Sequence, residues 1–240
     1  MKATEHEAKW KKFYFVGGCA AMTSFVLTLF DIIFGLITSG DLSVLPYTAI
    51  ERFNEFQQSI FMGLYRLDFL NLISYMIMLF AYFAIAIAHR KENNPESIFA
   101  GLLAFLGTTI FISANKALAM LNLSNKYFMT SDLGQRYLFA AAGETMLASG
   151  EHGGYGVFIG FFIFTCASLY ISIVMLRGHV FSRVNSILGI VGYLLLLVYI
   201  ILVTFVPSMK ASAVIIAAPG GLMALAWMFL LSVKLIKISK

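Results

Sequence analysis

Asn115 and Lys116 stand next to each other inside an apolar stretch that runs from Ile98 to Leu123. Placing a lysine ammonium in hydrocarbon costs at least about 2.5 kcal/mol. A side chain with that cost needs a water-filled cavity, a carboxylate partner or a short reach to the lipid headgroups. The pair therefore predicts either a polar binding pocket or a structural ion pair near this point of the chain.

Polar side chains in two other apolar stretches are predicted to lie at the same depth. Asp31, Asn71 and Lys116 each lie 18 residues from the inner end of their stretch, which is about 27 Å at the helical rise per residue. That depth is just inside the outer edge of a hydrocarbon core of about 30 Å. Asp68 and Arg66 lie slightly nearer the outside. The predicted pocket opens outward, and its candidate residues are Asp31, Arg66, Asp68, Asn71, Asn115, Lys116, Glu144, Glu151 and His152.

Two interpretations of these candidates stay open. In the first, they line a ligand pocket in which one of the two aspartates pairs with Lys116, while Arg66 pairs with Glu144 or Glu151. In the second, they form structural ion pairs, or the lysine ammonium extends past the end of its helix to the lipid phosphates.

The composition predicts an integral membrane protein. The 240 residues are 60% hydrophobic and 12% charged, with a mean hydropathy of +0.86, whereas about a quarter of the residues of a soluble domain are charged. The apolar stretches are long enough for membrane-spanning helices and too long for the strands of a barrel. We predict one all-α domain over residues 1–240 with six transmembrane helices, at residues 13–38, 67–88, 98–123, 155–176, 184–206 and 213–233.

The distribution of positive charge predicts the orientation of these helices. If the N terminus is cytoplasmic, the segments on that side hold 11 of the 17 Lys and Arg residues, and the outer segments hold five. Short cytoplasmic loops carry an excess of such residues, so we predict that the N and C termini are both cytoplasmic. The net charge of +5 is explained by this topology. The predicted partner is therefore the lipid bilayer and not a nucleic acid.

Two outer segments, residues 39–65 and 124–152, are predicted to be amphipathic. The first carries an apolar stripe opposite charged residues, as in a helix that lies on the bilayer surface. The residues of this stripe are Ile50, Phe53, Phe56 and Ile60. In the second segment, Asp132 followed by Gln135 resembles a capping box at a helix start.

Glycine and proline predict two special features of the backbone. Gly156 and Gly160 give one helix a face of small residues, on which another helix can pack closely. Pro219 removes a backbone donor, and the two glycines that follow it lower helix propensity. Unpaired carbonyl groups of this helix would then face the predicted pocket.

Known catalytic and cofactor motifs are missing from the sequence. Three of the four histidines are predicted to lie in the cytoplasm and only His152 outside, so no pair inside the spans can hold a b-type haem. His152 and the acidic residues near it have the chemistry of zinc ligands but not an H-E-x-x-H spacing. No G-x-S-x-G motif of a serine hydrolase is present. Cys19 and Cys166 are predicted to be unpaired, and no cofactor or metal is predicted.

Five short motifs resemble one known family. They are GLYRLD at 63–68, ANK at 114–116, AGE at 142–144, RVNSILGI at 183–190 and PGGL at 219–222. Together they resemble bacterial membrane proteins catalogued as domain of unknown function 4386, over nearly the whole chain. The resemblance implies a six-helix protein of the bacterial inner membrane and supplies no activity. It marks Arg66, Asp68, Asn115 and Glu144 as family-pattern positions.

Three functional hypotheses follow. The first is a protein that binds a small molecule or a lipid headgroup in the outward pocket, as a transport component or a sensor. The second is a metal-assisted hydrolase of lipid-like substrates that uses Glu144, Glu151 and His152. The third is a structural subunit, assembled with a partner or as a homo-oligomer through the face of Gly156 and Gly160.

Overall fold

The computed structural model of the protein describes residues 2–38, 48–92, 95–150 and 155–240. In these ranges the regular secondary structure consists of ten α-helices and two short 3₁₀ turns, the turns at Arg90–Glu92 and Pro207–Met209. The α-helices are α1 (Lys2–Thr38), α2 (Ala49–Gln58), α3 (Ile60–Tyr65), α4 (Phe69–Ala88), α5 (Pro95–Ala114), α6 (Ala117–Met129), α7 (Leu133–Gly150), α8 (Tyr155–Arg177), α9 (Arg183–Phe205) and α10 (Lys210–Ile238).

Six helical segments are long and apolar enough to cross a membrane, which confirms the prediction of an all-helical chain with six such segments. Two of them, the third and the fourth, each contain two helices. The six segments are Trp10–Gly35, Phe69–Ala88, Pro95–Met129, Leu133–Arg177, Arg183–Phe205 and Ile215–Ile238.

The long helices α1, α4, α5, α8, α9 and α10 form one bundle, in which α5 packs on α8, α9 on α10 and α1 on α4. Its core includes Tyr82, Phe164 and Trp227, together with many alanines that let the helices approach closely. The Lys11 side chain donates a hydrogen bond to the carbonyl oxygen of Lys240. The chain therefore begins and ends at the same end of the bundle.

The remaining helices α2, α3, α6 and α7 pack together at the opposite end, and we call them the cap. Phe53 and Phe56, two residues of the predicted amphipathic stripe, are buried there against α6 and α7. The other two residues of that stripe, Ile50 and Ile60, are exposed. Half of the stripe thus packs inside the protein, and its placement on a bilayer stays a prediction.

The starts of α2 and α7 show two forms of N-terminal capping. At α2, Thr48 and Glu51 form a reciprocal capping box. At α7, Asp132 accepts a hydrogen bond from the N–H of Gly134, as a cap should. The side chain of Gln135 bonds Thr130, so the predicted reciprocal half of the box at Asp132 is not formed.

The third predicted span is not one helix, because α5 ends at Ala114 and α6 begins at Ala117. The Oδ1 atom of Asn115 accepts a hydrogen bond from the N–H of Ala117, at 3.1 Å. Because the helix is interrupted here, the N–H of Ala117 has no helical carbonyl as acceptor, and the Asn115 side chain takes the place of that carbonyl. The prediction of a continuous helix over 98–123 was wrong at this point, because an apolar run does not reveal a local side-chain cap.

Glycines set the distance between α5 and α8. A methyl group on Gly107 would lie 2.6 Å from the backbone nitrogen of Phe164, and one on Gly160 would lie 2.8 Å from the Cα of Phe111. Gly156 instead approaches the backbone of Ser149, at the end of α7. The small-residue face of α8 therefore packs on helices of the same chain, and its use in assembly with a partner stays a prediction.

Replacing Gly107 by alanine should lower the stability of the bundle, because the added methyl group meets backbone atoms of α8 that have little freedom to move. We expect a loss of about 1–3 kcal/mol and a lower midpoint of thermal unfolding in detergent, followed through tryptophan fluorescence. Gly101→Ala on the same helix is the control, because its methyl group meets no atom within 4 Å. Equal midpoints for the two variants would contradict this account of the packing.

Candidate functional site

A cavity of about 250 Å³ lies among α1, α4, α8, α9 and α10. Asp31 is the one charged side chain among its described lining residues, and Asn71 is the one amide. The other polar groups of the wall are hydroxyls, and most of the wall is aromatic or aliphatic. The hydroxyl-bearing residues are Thr28, Tyr75, Thr165, Tyr193, Tyr199 and Thr204.

The cavity extends from the cap end of the bundle to about its middle. Asn71 is the third residue of α4, and Asp31 lies near the end of the membrane-length part of α1. Tyr193 lies ten residues after the start of α9, or about 15 Å along the helix. The carboxyl and the amide thus mark the outer end of the cavity, and its deeper part is largely apolar.

Stacked aromatic rings make one wall of this cavity. Tyr75 stacks on Phe164 with a centroid distance of 3.9 Å and an interplanar angle of 10°, and it meets the edge of Phe161 at 5.8 Å. On the other side, Tyr193 packs edge-on against Trp227 at 5.3 Å. Side chains held in such pairs have few alternative conformations, so this part of the cavity is preorganised.

Asn71 connects the cavity to the turn that precedes α4. Its Nδ2 donates a hydrogen bond to Oδ1 of Asp68 at 3.0 Å. Asp68 is 7% exposed and adopts a φ of 59°. Aspartate is among the few residue types that tolerate this left-handed region. The turn therefore places a second acidic side chain directly behind the amide of the cavity.

Tyr65 of the cap lies next to both acidic residues. Its hydroxyl donates a hydrogen bond to the carbonyl oxygen of Asp31 at 2.9 Å. Burial raises the pKa of Tyr65, and the carboxyl groups of Asp31 and Asp68 raise it further, while Arg66 acts in the opposite direction. Both acidic side chains therefore lie close to the hydroxyl of Tyr65 at this end of the cavity.

Asn115 joins the interrupted third span to the turn before α4. Its Nδ2 donates a hydrogen bond to the carbonyl oxygen of Leu67 at 2.7 Å, while its Oδ1 caps α6. Both halves of the amide are therefore used for structure. Asn115 does not line the cavity.

One interpretation of the sequence paired Lys116 with Asp31 or Asp68, and the structure instead gives its ammonium a backbone partner. Its ammonium donates a hydrogen bond to the carbonyl oxygen of Ser113 at 2.7 Å. The last carbonyl groups of a helix lack internal partners and attract cations, and the end of α5 supplies such groups. The Lys116 stem packs closely on Gly150, where a methyl group would lie 2.7 Å from its Cγ atom.

Arg66 and Glu144 are used within the cap and do not pair with each other. Arg66 binds Glu55 at 2.8 Å, because α2 packs beside the turn that contains the arginine. Glu144 accepts a hydrogen bond from the N–H of Ala49 at 2.7 Å. An acidic side chain at the first turn of α2 is stabilised by the helix dipole. Glu151 and His152 lie outside the described residues.

The structure thus divides the candidate residues into separate groups. Asp31 and Asn71 line one cavity, and a hydrogen bond from Asn71 joins Asp68 to it. The aromatic wall of this cavity was not identified from the sequence. Tyrosines far from the ends of apolar spans are unusual, so their positions could have indicated it. Within the described ranges, no group of three His, Cys, Asp or Glu residues is arranged to hold a metal ion. Both cysteines are free thiols.

Comparisons of the chain with protein-family models, with curated proteins and with solved structures found no match. The similarity to domain of unknown function 4386 therefore stays an expectation from short motifs. The class that the fold defines is that of a multi-pass α-helical membrane protein.

Replacing Asn115 by alanine should destabilise the protein, because the carbonyl of Leu67 and the N–H of Ala117 both lose their side-chain partner. We expect a loss of about 1–3 kcal/mol, measured by thermal unfolding in detergent. Asn125→Ala is the matched control, because Asn125 is exposed on α6 and surface changes usually stay within about 0.5 kcal/mol. If the two variants unfold at the same temperature, Asn115 does not tie the span to α4.

Proposed function

We propose that this protein binds a small, mostly apolar ligand with a basic group in the cavity of its transmembrane bundle, as a transport component or a sensor. The observation that carries the proposal is the carboxyl group of Asp31 at one end of a cavity whose described wall is otherwise uncharged and mostly aromatic or aliphatic. Ligand sites typically combine an apolar wall with few polar groups that fix the orientation of the ligand.

The chemistry of the lining favours an amine over an anion. Asp31 supplies an acceptor for an ammonium group, and Asp68 lies behind the neighbouring Asn71. No basic side chain is found among the described residues of the wall. Aromatic faces such as that of Tyr75 also attract cations. An arylalkylamine satisfies each of these features, with its ring in the deeper half of the cavity.

The contacts of the cap support a role for it in ligand response. Tyr65 of α3 bonds the backbone of Asp31, and its ring packs edge-on against Phe34 of α1 at 4.8 Å. A ligand that moves the outer end of α1 would therefore shift α3. The ion pair between Arg66 and Glu55 would transmit the same shift to α2.

We further infer that both termini face the cytoplasm of a bacterial cell and that the cap lies on the periplasmic side of the inner membrane. The excess of Lys and Arg in the segments at the end with the termini supports this orientation. The cavity would then be filled from the outer side.

Replacing Asp31 by asparagine should remove the preference of the protein for an amine. For the wild type we expect phenethylamine to bind about tenfold more tightly than the uncharged 2-phenylethanol, since a hydrogen bond to a charged group is worth about 1.5–3 kcal/mol. In Asp31→Asn both compounds should bind with similar affinity in equilibrium dialysis. Glu96→Gln is the control, because Glu96 forms an exposed ion pair with Arg177 at the other end of the bundle. An unchanged preference in Asp31→Asn would refute the assignment.

Replacing Gly221 by leucine should place an apolar side chain in the cavity from α10. Gly221 lines the cavity, and a methyl group on it would meet no atom within 4 Å. We expect Gly221→Leu to unfold at or above the wild-type temperature, because leucine is the better helix former, and to lose binding of both compounds. Gly134→Leu is the matched control, because that glycine is exposed at the start of α7 and lies outside the cavity. Retained binding in Gly221→Leu would place the ligand elsewhere.

A further inference from the structure

A second groove, of about 350 Å³, lies at the end of the bundle that carries the termini. It is formed by the connection between α8 and α9 and by the last turns of α10. Its polar groups on α9 and α10 come from Asn185, Lys234 and Lys237. Its apolar groups on α10 come from Leu230 and Val233. This groove is separate from the cavity described above, because the two share no lining residue.

Asn185 is the feature that points to a ligand. Its side chain is 1% exposed and lines the groove, yet neither its Oδ1 nor its Nδ2 has a hydrogen-bond partner among the residues that the structure describes. Leaving a buried amide unpaired costs about 1–3 kcal/mol, and most buried polar groups have a partner. The backbone N–H of Asn185 bonds Ser182, so the helix cap does not use the side-chain amide.

The charges around the groove favour an anion. Lys234 and Lys237 are three residues apart and therefore lie on the same side of α10. In the described part of the chain, neither lysine forms an ion pair. The N terminus of α9, capped by Ser182, adds the positive end of a helix dipole. A phosphate group matches two ammonium groups, a helix N terminus and an amide donor.

The apolar side of the groove distinguishes a lipid from a free phosphate ion. Leu230 and Val233 precede the two lysines on α10, and all four residues belong to the apolar segment Ile215–Ile238. Val233 is 46% exposed, and Val184 on the neighbouring α9 is 64% exposed. These side chains form a surface along which an acyl chain can lie while its headgroup reaches the lysines.

We propose that this groove binds an anionic phospholipid, with its phosphate between Lys234, Lys237 and the start of α9 and its glycerol region hydrogen-bonded to Asn185. The lipid comes from the leaflet at the end that carries both termini. Basic pockets between membrane helices are suited to such headgroups. The site is independent of the proposed ligand cavity, so either proposal can fail alone.

The test uses the full-length protein in a neutral detergent, with lipid binding measured by native mass spectrometry. We expect wild type to bind dioleoylphosphatidylglycerol more tightly than dioleoylphosphatidylcholine. The double variant Lys234→Gln/Lys237→Gln should weaken the phosphatidylglycerol complex by about fivefold for each lysine removed. Lys126→Gln in the cap should leave the affinity unchanged. Equal binding of the two lipids by wild type, or an unaffected double variant, would overturn the proposal.

Two further measurements distinguish a bound lipid from a purely structural amide and from a soluble phosphate compound. Asn185→Leu should bind phosphatidylglycerol several-fold more weakly, while its lipid-free form should unfold at or above the wild-type temperature because two unpaired buried atoms are gone. A lower unfolding temperature with unchanged lipid affinity would mean that Asn185 is only structural and would overturn its assignment to the lipid. Glycerol 3-phosphate should not compete with the lipid at equal concentration. Effective competition would identify a soluble phosphate compound and overturn the lipid assignment.

Discussion

The two hydrogen bonds of the Asn115 amide hold the cap and the transmembrane bundle together. Backbone groups inside a membrane protein must find partners within the protein, and the interruption between α5 and α6 leaves some of them without a helical partner. Asn115 supplies one partner to Ala117 and a second to Leu67. The same residue therefore permits the interruption and attaches it to the start of α4. Without the interruption, α6 could not leave the line of α5 to pack on α2 and α7.

The polar residues of the outer half serve two purposes that the structure keeps apart. Arg66, Glu144 and Lys116 stabilise helix ends and helix contacts in or beside the cap. Asp31 and Asn71 line the cavity. This division explains how a bundle with so few charged residues maintains both a stable outer surface and a polar site. Arg66 and Lys116 are each held by a nearby acceptor and lie outside the wall of the cavity.

Depth along a helix could be predicted, but direction around the helix could not. Asp31, Asn71 and Lys116 were assigned the same depth from the helical rise, and the first two do line one cavity. Lys116 was assigned the same depth but does not line that cavity, because each residue along a helix rotates the side chain by about 100° around the axis. The interruption at Asn115 changes that rotation further. The pairing of Arg66 with Glu55 was missed for a similar reason, since it depends on how α2 packs against the turn before α4.

The amino-acid sequence alone determined the all-helical class and the six apolar segments, because both follow from the length and composition of continuous stretches. It also marked most of the polar residues that matter, since charged and amide groups are rare in such stretches. The tertiary structure decided which of them meet. The cavity is built from two helices of the first half of the chain and three of the second half, and the orphaned amide of Asn185 is recognisable only when the surrounding helices are in place. Hydrophobicity determines where a helix lies, whereas close packing at residues such as Gly107 and Gly160 determines what each face of that helix touches.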